Sequence, residues 1–206
     1  VELAVLVVSP SEIKRLNNAN EKMRQRGRWR VRNRKVIYRN PYVALFEDRV
    51  IRPDGMKGVF AVFTMKPGAS ILPLDARGYI YFAREFHYAI GKVNLEAIAG
   101  GKEAGETPLA AAKRELREET GMTAKTWVPL NAVVGLTTNI AHHQNLYLAI
   151  GLRFGKAQPD QMEQIEIVKM PFARALAMAI DGRISEPYTC TLLMRAAHYL
   201  RRRKQR

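Results

Sequence analysis

One cysteine, Cys190, stands in 206 residues, so the chain can form no internal disulfide and no cysteine-based zinc site. That scarcity fits a reducing, cytoplasmic setting. Long apolar runs are missing too. The stretch LAVLVV at 3–8 falls far short of the about 20 residues a membrane span needs, and no basic segment precedes it, so neither a span nor a signal peptide is expected. No repeat or low-complexity segment occurs. Acid is the other scarcity: 19 Asp and Glu face 34 Lys and Arg, a formal net charge of +15, which favours anionic partners. With 47% hydrophobic residues, the chain can bury one good-sized core, expected as a single domain with appendages.

The base is unevenly spread. One cluster is RQRGRWRVRNRK at 24–35 and another is RRRKQR at 201–206. Alternation through the first reads as a strand with Arg28, Arg30, Arg32 and Arg34 on one face and the register slipping near Asn33. Such a face either blunts a sheet edge or meets an anion: a phosphate-bearing substrate, a nucleic acid or an acidic subunit.

Upstream, SPSEIKRLNNANEKMRQ predicts a helix capped by Ser11, with Ile13, Leu16 and Met23 as a thin apolar stripe. Strands are expected at 28–38, 42–51, 58–66, 69–74 and 78–86, separated by the turn signals RNP, RPDG, KPG and DARG. Further strands are expected near 125–135 and 145–153, and helices at 171–181 and 187–203. Strands enclosing one helix, with helices closing the chain, suggest an α/β/α sandwich.

The enclosed helix lies in GGKEAGETPLAAAKRELREETGM, residues 100–122. Thr107 caps it, Pro108 takes the first helical position and Gly121 ends it, giving limits of 108–120. Leu109, Ala112 and Leu116 form the buried stripe. Glu115, Glu118 and Glu119 fall at i, i+3 and i+4 and crowd one face. Like charges that close need a cation among them, either basic side chains, such as Arg114 four residues before Glu118, or a metal ion.

The same stretch resembles the signature of the Nudix hydrolase superfamily at every position: Gly100, Glu106, Arg114, Glu115, Leu116, Glu118, Glu119, Gly121 and Met122. Seven fixed residues at roughly one in fifteen each coincide about once in 10⁸ placements, so chance does not explain the match. The resemblance implies a Nudix-type α/β/α sandwich with a mixed sheet and hydrolysis of a diphosphate linkage. It also implies Mg²⁺, with Mn²⁺ as a substitute, held by Glu115 and Glu119 as principal ligands. Glu118 would serve an additional ion, Glu106 would steady Arg114, and Gly100 would let the backbone approach the metal.

Segments at 40–55, 78–106 and 181–189 resemble the ADP-ribose and nucleotide-sugar pyrophosphatase branch. That likeness adds the carbonyl of Ala99 as a metal ligand, Arg84 as a phosphate contact and Glu96 as a metal or substrate contact. It further implies a homodimer whose N-terminal strands exchange, so that residues 1–57 form a dimerisation element carrying Arg30 to the partner's substrate and 58–206 form the hydrolase domain. The chain departs from the branch in GLTTNIAHHQNLY, 135–147. The general base therefore stays open among His142, His143, Glu163 and Glu166, with His143 also a substrate contact.

The expected reaction converts ADP-ribose or a nucleotide sugar to a nucleoside monophosphate and a sugar phosphate. An RNA-binding module, or an RNA 5′-end pyrophosphohydrolase using the basic clusters, is the alternative.

Overall fold

The five strands expected between 28 and 86 are present with bounds that agree to within one residue, and a short strand at Arg24–Arg26 that the pattern does not announce precedes them. The computed structural model describes residues 24–158 and 165–205. The helix expected around Ser11 and the candidate base Glu163 lie outside the described residues. In chain order the elements are β1 (Arg24–Arg26), β2 (Trp29–Arg39), β3 (Val43–Ile51), β4 (Lys57–Met65), β5 (Gly68–Leu74), β6 (Tyr79–His87) and β7 (Lys92–Gly101). Then follow α1 (Pro108–Thr120), β8 (Thr123–Val134), β9 (Ile140–Ala141), β10 (His143–Arg153), β11 (Glu166–Pro171), α2 (Phe172–Ile180) and α3 (Pro187–Lys204).

The described residues fall into two units, one reaching Lys66 and including Val134–His142, the other Pro67–Val133 with His143 onward. The smaller unit is one sheet in the order β1-β2-β3-β4-β9. Its core is Val36, Ala44, Phe46 and Val62. The pairing of β2 with β3 shifts register between Val31 and Asn33, where the sequence expects a slip. The shift corrects the expected basic face. Arg34 turns inward, donates to both carboxylate oxygens of Asp48 at 2.6 and 2.7 Å, and lies over the Phe46 ring. Asp48 is buried, and a buried charge needs such a partner. Arg28 sits in the turn between β1 and β2, while Arg30 and Arg32 stay exposed.

The larger unit is a mixed six-stranded sheet, β11-β6-β7-β5-β10-β8, with β5 and β10 parallel. Strand β5 is buried throughout because both faces are covered. Ala69 and Ile71 meet Ala112 and Leu116 of α1, whereas Leu72 and Leu74 point the other way, toward Leu192, Leu193 and Ala196 of α3. The two-residue period of strands sends alternate side chains to opposite faces. The result is the α/β/α sandwich, with α1 on one side of the sheet and α2 and α3 on the other. Among the described residues no helix is long and apolar enough to cross a membrane.

Candidate active site

Helix α1 forms where its termini are chemically specified. The Thr107 hydroxyl accepts from the Ala110 N–H at 3.1 Å, Pro108 opens the first turn, and Gly121 closes the last at φ 70°. An αL residue there lets the Gly121 N–H reach the Arg117 carbonyl at 2.9 Å. The buried face comprises Ala111, Ala112, Leu116 and Glu119. Leu109, expected in that stripe, is half-buried and Ala111 is enclosed instead.

Arg114 organises the carboxylates. Its Nε and Nη2 grip Glu106 bidentately at 2.9 and 3.1 Å, and Nη2 also donates to the Gly101 carbonyl at 2.9 Å. Nη1 donates to Glu115 at 2.8 Å and to Glu118 at 3.1 Å. One guanidinium thus ties the signature loop to the helix through its fixed fork of donors. These hydrogen bonds, chiefly that with Glu106, push the Arg114 pKa upward. In turn they hold Glu106 down at about 2.

Glu115 behaves in the opposite sense. Burial pushes its pKa up, and Arg114 opposes that shift only in part. Its carboxyl lies over Gly100 so closely that a Cβ on that glycine would come within 1.9 Å of the Glu115 carboxyl carbon. Gly100 is needed for space, since its φ is not in the left-handed range. Strand β7 delivers this backbone: Ala99 lies opposite Ser70 and Gly100 opposite Ala69 in the pairing with β5. Glu119 is buried beside this cluster on the same helix.

The arrangement fits a divalent cation. The donors are oxygens, carboxylates on α1 and the backbone of Ala99–Gly101, which suits a hard ion. The missing side chain at Gly100 leaves a cradle in which the Glu115 carboxylate sits against that backbone.

Other expected residues are placed separately. Arg84 and Glu166 stand directly opposite on β6 and β11 and pair through both guanidinium Nε and Nη2. Glu96, half-buried, lies 2.9 Å from His87 Nε2 and accepts from Asn94 at 3.3 Å. The His87 contact does not meet hydrogen-bond geometry, which leaves Nε2 without a hydrogen-bond partner. Burial raises the Glu96 pKa, His87 opposes this, and the charge of Glu186 adds to it. Glu85, His87 and Glu96 bring donor atoms within 4.8 Å of one another, a nitrogen-containing trio that spacing along the chain does not assemble. His142 is buried and His143 exposed at the start of β10, so the two adjacent rings face different surroundings. Arg30 lies exposed on β2 in the smaller unit.

Sequence reasoning missed β7 as an element. It also missed a buried polar set: Gln144 donating to the Ser70 hydroxyl at 2.9 Å, and the Thr189 hydroxyl accepting from the Ala97 N–H at 2.9 Å. Both flank the strands that carry Ala99 and Gly100. Their only signal was polar residues inside otherwise apolar runs.

Known proteins resemble this chain in sequence and in fold. The NUDIX domain model matches residues 64–185. An ADP-ribose pyrophosphatase of Bacillus subtilis is 28% identical over 159 residues, covering 74% of this chain and 84% of that protein. One from Mycobacterium tuberculosis is 29% identical over 155 residues, covering 72% and 73%. The crystal structure of an ADP compounds hydrolase superposes with a TM-score of 0.77 at 19% identity over 89% of this chain and 98% of that one, a likeness of fold.

Proposed function

The chain belongs to the NUDIX domain family and is a Nudix hydrolase, and from that premise we propose that it hydrolyses the diphosphate linkage of ADP-ribose or a nucleotide sugar. The products are a nucleoside monophosphate and a sugar phosphate. The observation that carries this reading is the Glu115 carboxylate lying over Gly100, with Arg114 bracing the loop and the helix together. The similar ADP-ribose pyrophosphatases of two bacteria support the substrate class.

Mg²⁺, replaceable by Mn²⁺, would be the cofactor, held by Glu115, Glu119, Glu118 and the Ala99 carbonyl. When bound it neutralises phosphate oxygens and lowers the pKa of water. The chain's own residues do the rest. Arg114 fixes Glu115 and Glu118 in direction, so the carboxylates are set before substrate arrives. Glu106 takes no part in chemistry and anchors Arg114. Arg84, on β6, contacts a substrate phosphate, and its pairing with Glu166 exchanges for that contact on binding. Glu96 orients the substrate from β7, and His143 contacts it from the start of β10. The general base stays open among Glu163, Glu166, His142 and His143. A homodimer built through the N-terminal region, residues 1–57, would bring Arg30 to the partner's substrate, with 58–206 as the hydrolase domain. A cytoplasmic location agrees with the single thiol, whose pKa burial pushes up.

The test is a substrate panel of ADP-ribose, nucleotide sugars, dinucleoside polyphosphates and 5′-triphosphate RNA with Mg²⁺ or Mn²⁺. Glu119→Gln should lose more than the about 100-fold that even an outer-shell partner of a metal costs, with its circular dichroism unchanged. Turnover equal to the parent in that variant would refute the reading.

A further inference from the structure

Helix α3 contains no Asp or Glu in its 18 residues, and its last turns carry Arg195, His198, Arg201, Arg202 and Arg203. Among the described residues no ion pair reaches Arg201, Arg202 or Arg203. A helix C-terminus welcomes a cation. Three consecutive exposed arginines exceed that need, and with no acid on the helix to offset them the cluster favours an external anion.

Grooves lie on both sides of this ridge. One, of about 670 Å³, runs between β8 and α3 past Leu130, Asn131 and Tyr199 to Arg202 and Arg203. The other, of about 970 Å³, lies by Leu74, Arg77, Phe172 and Leu200 and returns to Arg201 and Arg203. Tyr199, Leu200 and Phe172 are half-buried and packed on the core, so aromatic and apolar surface is recessed behind the cations. An anionic membrane is met by protruding apolar side chains. A single nucleic-acid strand asks for this opposite relief, with cations for phosphates and recessed faces for bases.

The groove wall is polar where a ribose would lie. Arg195 Nη1 donates to the carbonyls of Leu130, Asn131 and Ala132 at 2.8, 3.1 and 3.3 Å. That grip holds Asn131 at φ 62°, an unusual conformation for a side-chain-bearing residue. The exposed Asn131 side-chain amide offers a partner for a 2′-hydroxyl, which distinguishes RNA. This surface packs on the α3 side of the sheet, whereas Glu115 and Glu119 ride on α1 on the other.

The geometry points to a single-stranded RNA site along the end of α3, separate from the hydrolytic site. The phosphates lie on the Arg201–Arg203 ridge and bases enter the flanking grooves. The experiment is fluorescence anisotropy of the full chain with a labelled 12-nucleotide unstructured RNA across a salt series. Replacing Arg201, Arg202 and Arg203 by Gln should weaken binding at least tenfold. It should also flatten the slope of log affinity against log salt by about 2, at about 0.7 per phosphate contact. Removing the same charge elsewhere, by Arg26→Gln, Arg28→Gln and Arg32→Gln together, should weaken binding less than threefold. Single Arg202→Gln and Arg203→Gln variants should each show a partial loss, and nucleotide hydrolysis should be unchanged in all α3 variants. Equal losses from the two triple variants would reduce the effect to bulk charge and overturn the site. Equal affinity for DNA of the same sequence, or binding to phosphatidylserine vesicles without RNA binding, would overturn it as well.

Discussion

The two faces of the large sheet are built from the same strands and do opposite things. Toward α3, Phe82, Leu72, Leu148 and Leu192 are fully enclosed, and close packing of large apolar side chains prevails. Toward α1, the apolar layer mixes Ile71, Ile98 and Leu116 with alanines such as Ala69, Ala83, Ala111 and Ala112, and the helix carries a band of half-buried charge. The contrast shows how one sheet separates stability from chemistry. One side is almost wholly apolar. On the other, alanines among the larger residues and the bare Gly100 let a helix bearing carboxylates come down close to the strand backbone.

The sharpest way to break this contrast is Phe82→Ala, which should cost about 3–5 kcal/mol in denaturant unfolding through cavity formation. A loss under about 1 kcal/mol would mean that face is not the stabilising one. Gly100→Ala should do the reverse. The added methyl collides with the flexible end of Glu115, which can swing aside, so thermal stability should change little. Activity should fall at least about tenfold, because 1 Å misplacements near chemistry cost up to about 100-fold. Equal activity in the alanine variant would separate Glu115 from the site.

A subtler comparison uses pH. Glu106 titrates in the folded chain at about 2, below its ordinary 4.5, chiefly because Arg114 hydrogen bonds to it. A lowered carboxylate pKa means the unfolded chain binds the proton first. The stabilisation is therefore complete above pH 4.5 and drains away as pH falls toward 2. Glu106→Gln should flatten the stability profile across that window, read by thermal unfolding at stepped pH, while Phe82→Ala should shift the profile without changing its shape. The smallest effect belongs to Thr107→Ala, about 1 kcal/mol from the lost cap. A cost indistinguishable from zero would show that Pro108 alone positions the start of α1.

Much of this is legible in the sequence, for reasons that individual residues make plain. Helix α1 is bounded to the residue because Thr107, Pro108 and Gly121 each act within a single turn. The slip near Asn33 is visible because alternation fails locally. Arg34 cannot be read from alternation alone: it becomes an inward residue only through the shifted pairing with β3 and through Asp48, 14 residues later in the chain. Strand β7 escapes because it lies between β6 and β5 in the sheet, so its burial pattern lacks the alternation of a half-exposed strand. Spacing finds the signature carboxylates, yet the depth of Glu115 over Gly100 is a product of strand register and cannot be found that way.

One close contact limits how this protein can change. At the end of α1, backbone touches backbone: a Cβ on Gly121 would come within 2.3 Å of the Gly155 carbonyl, and one on Gly155 within 3.0 Å of the Gly121 carbonyl. The nearby Gln158 N–H bonds the Glu118 carbonyl at 2.9 Å. Gly121 cannot acquire a side chain without shifting this backbone, whereas a methyl on Gly155 asks its neighbour to yield by only a few tenths of an ångström. Randomised libraries should therefore leave Gly121 untouched, and a designer wishing to retune the helix's tilt has in Gly155 a single adjustable shim.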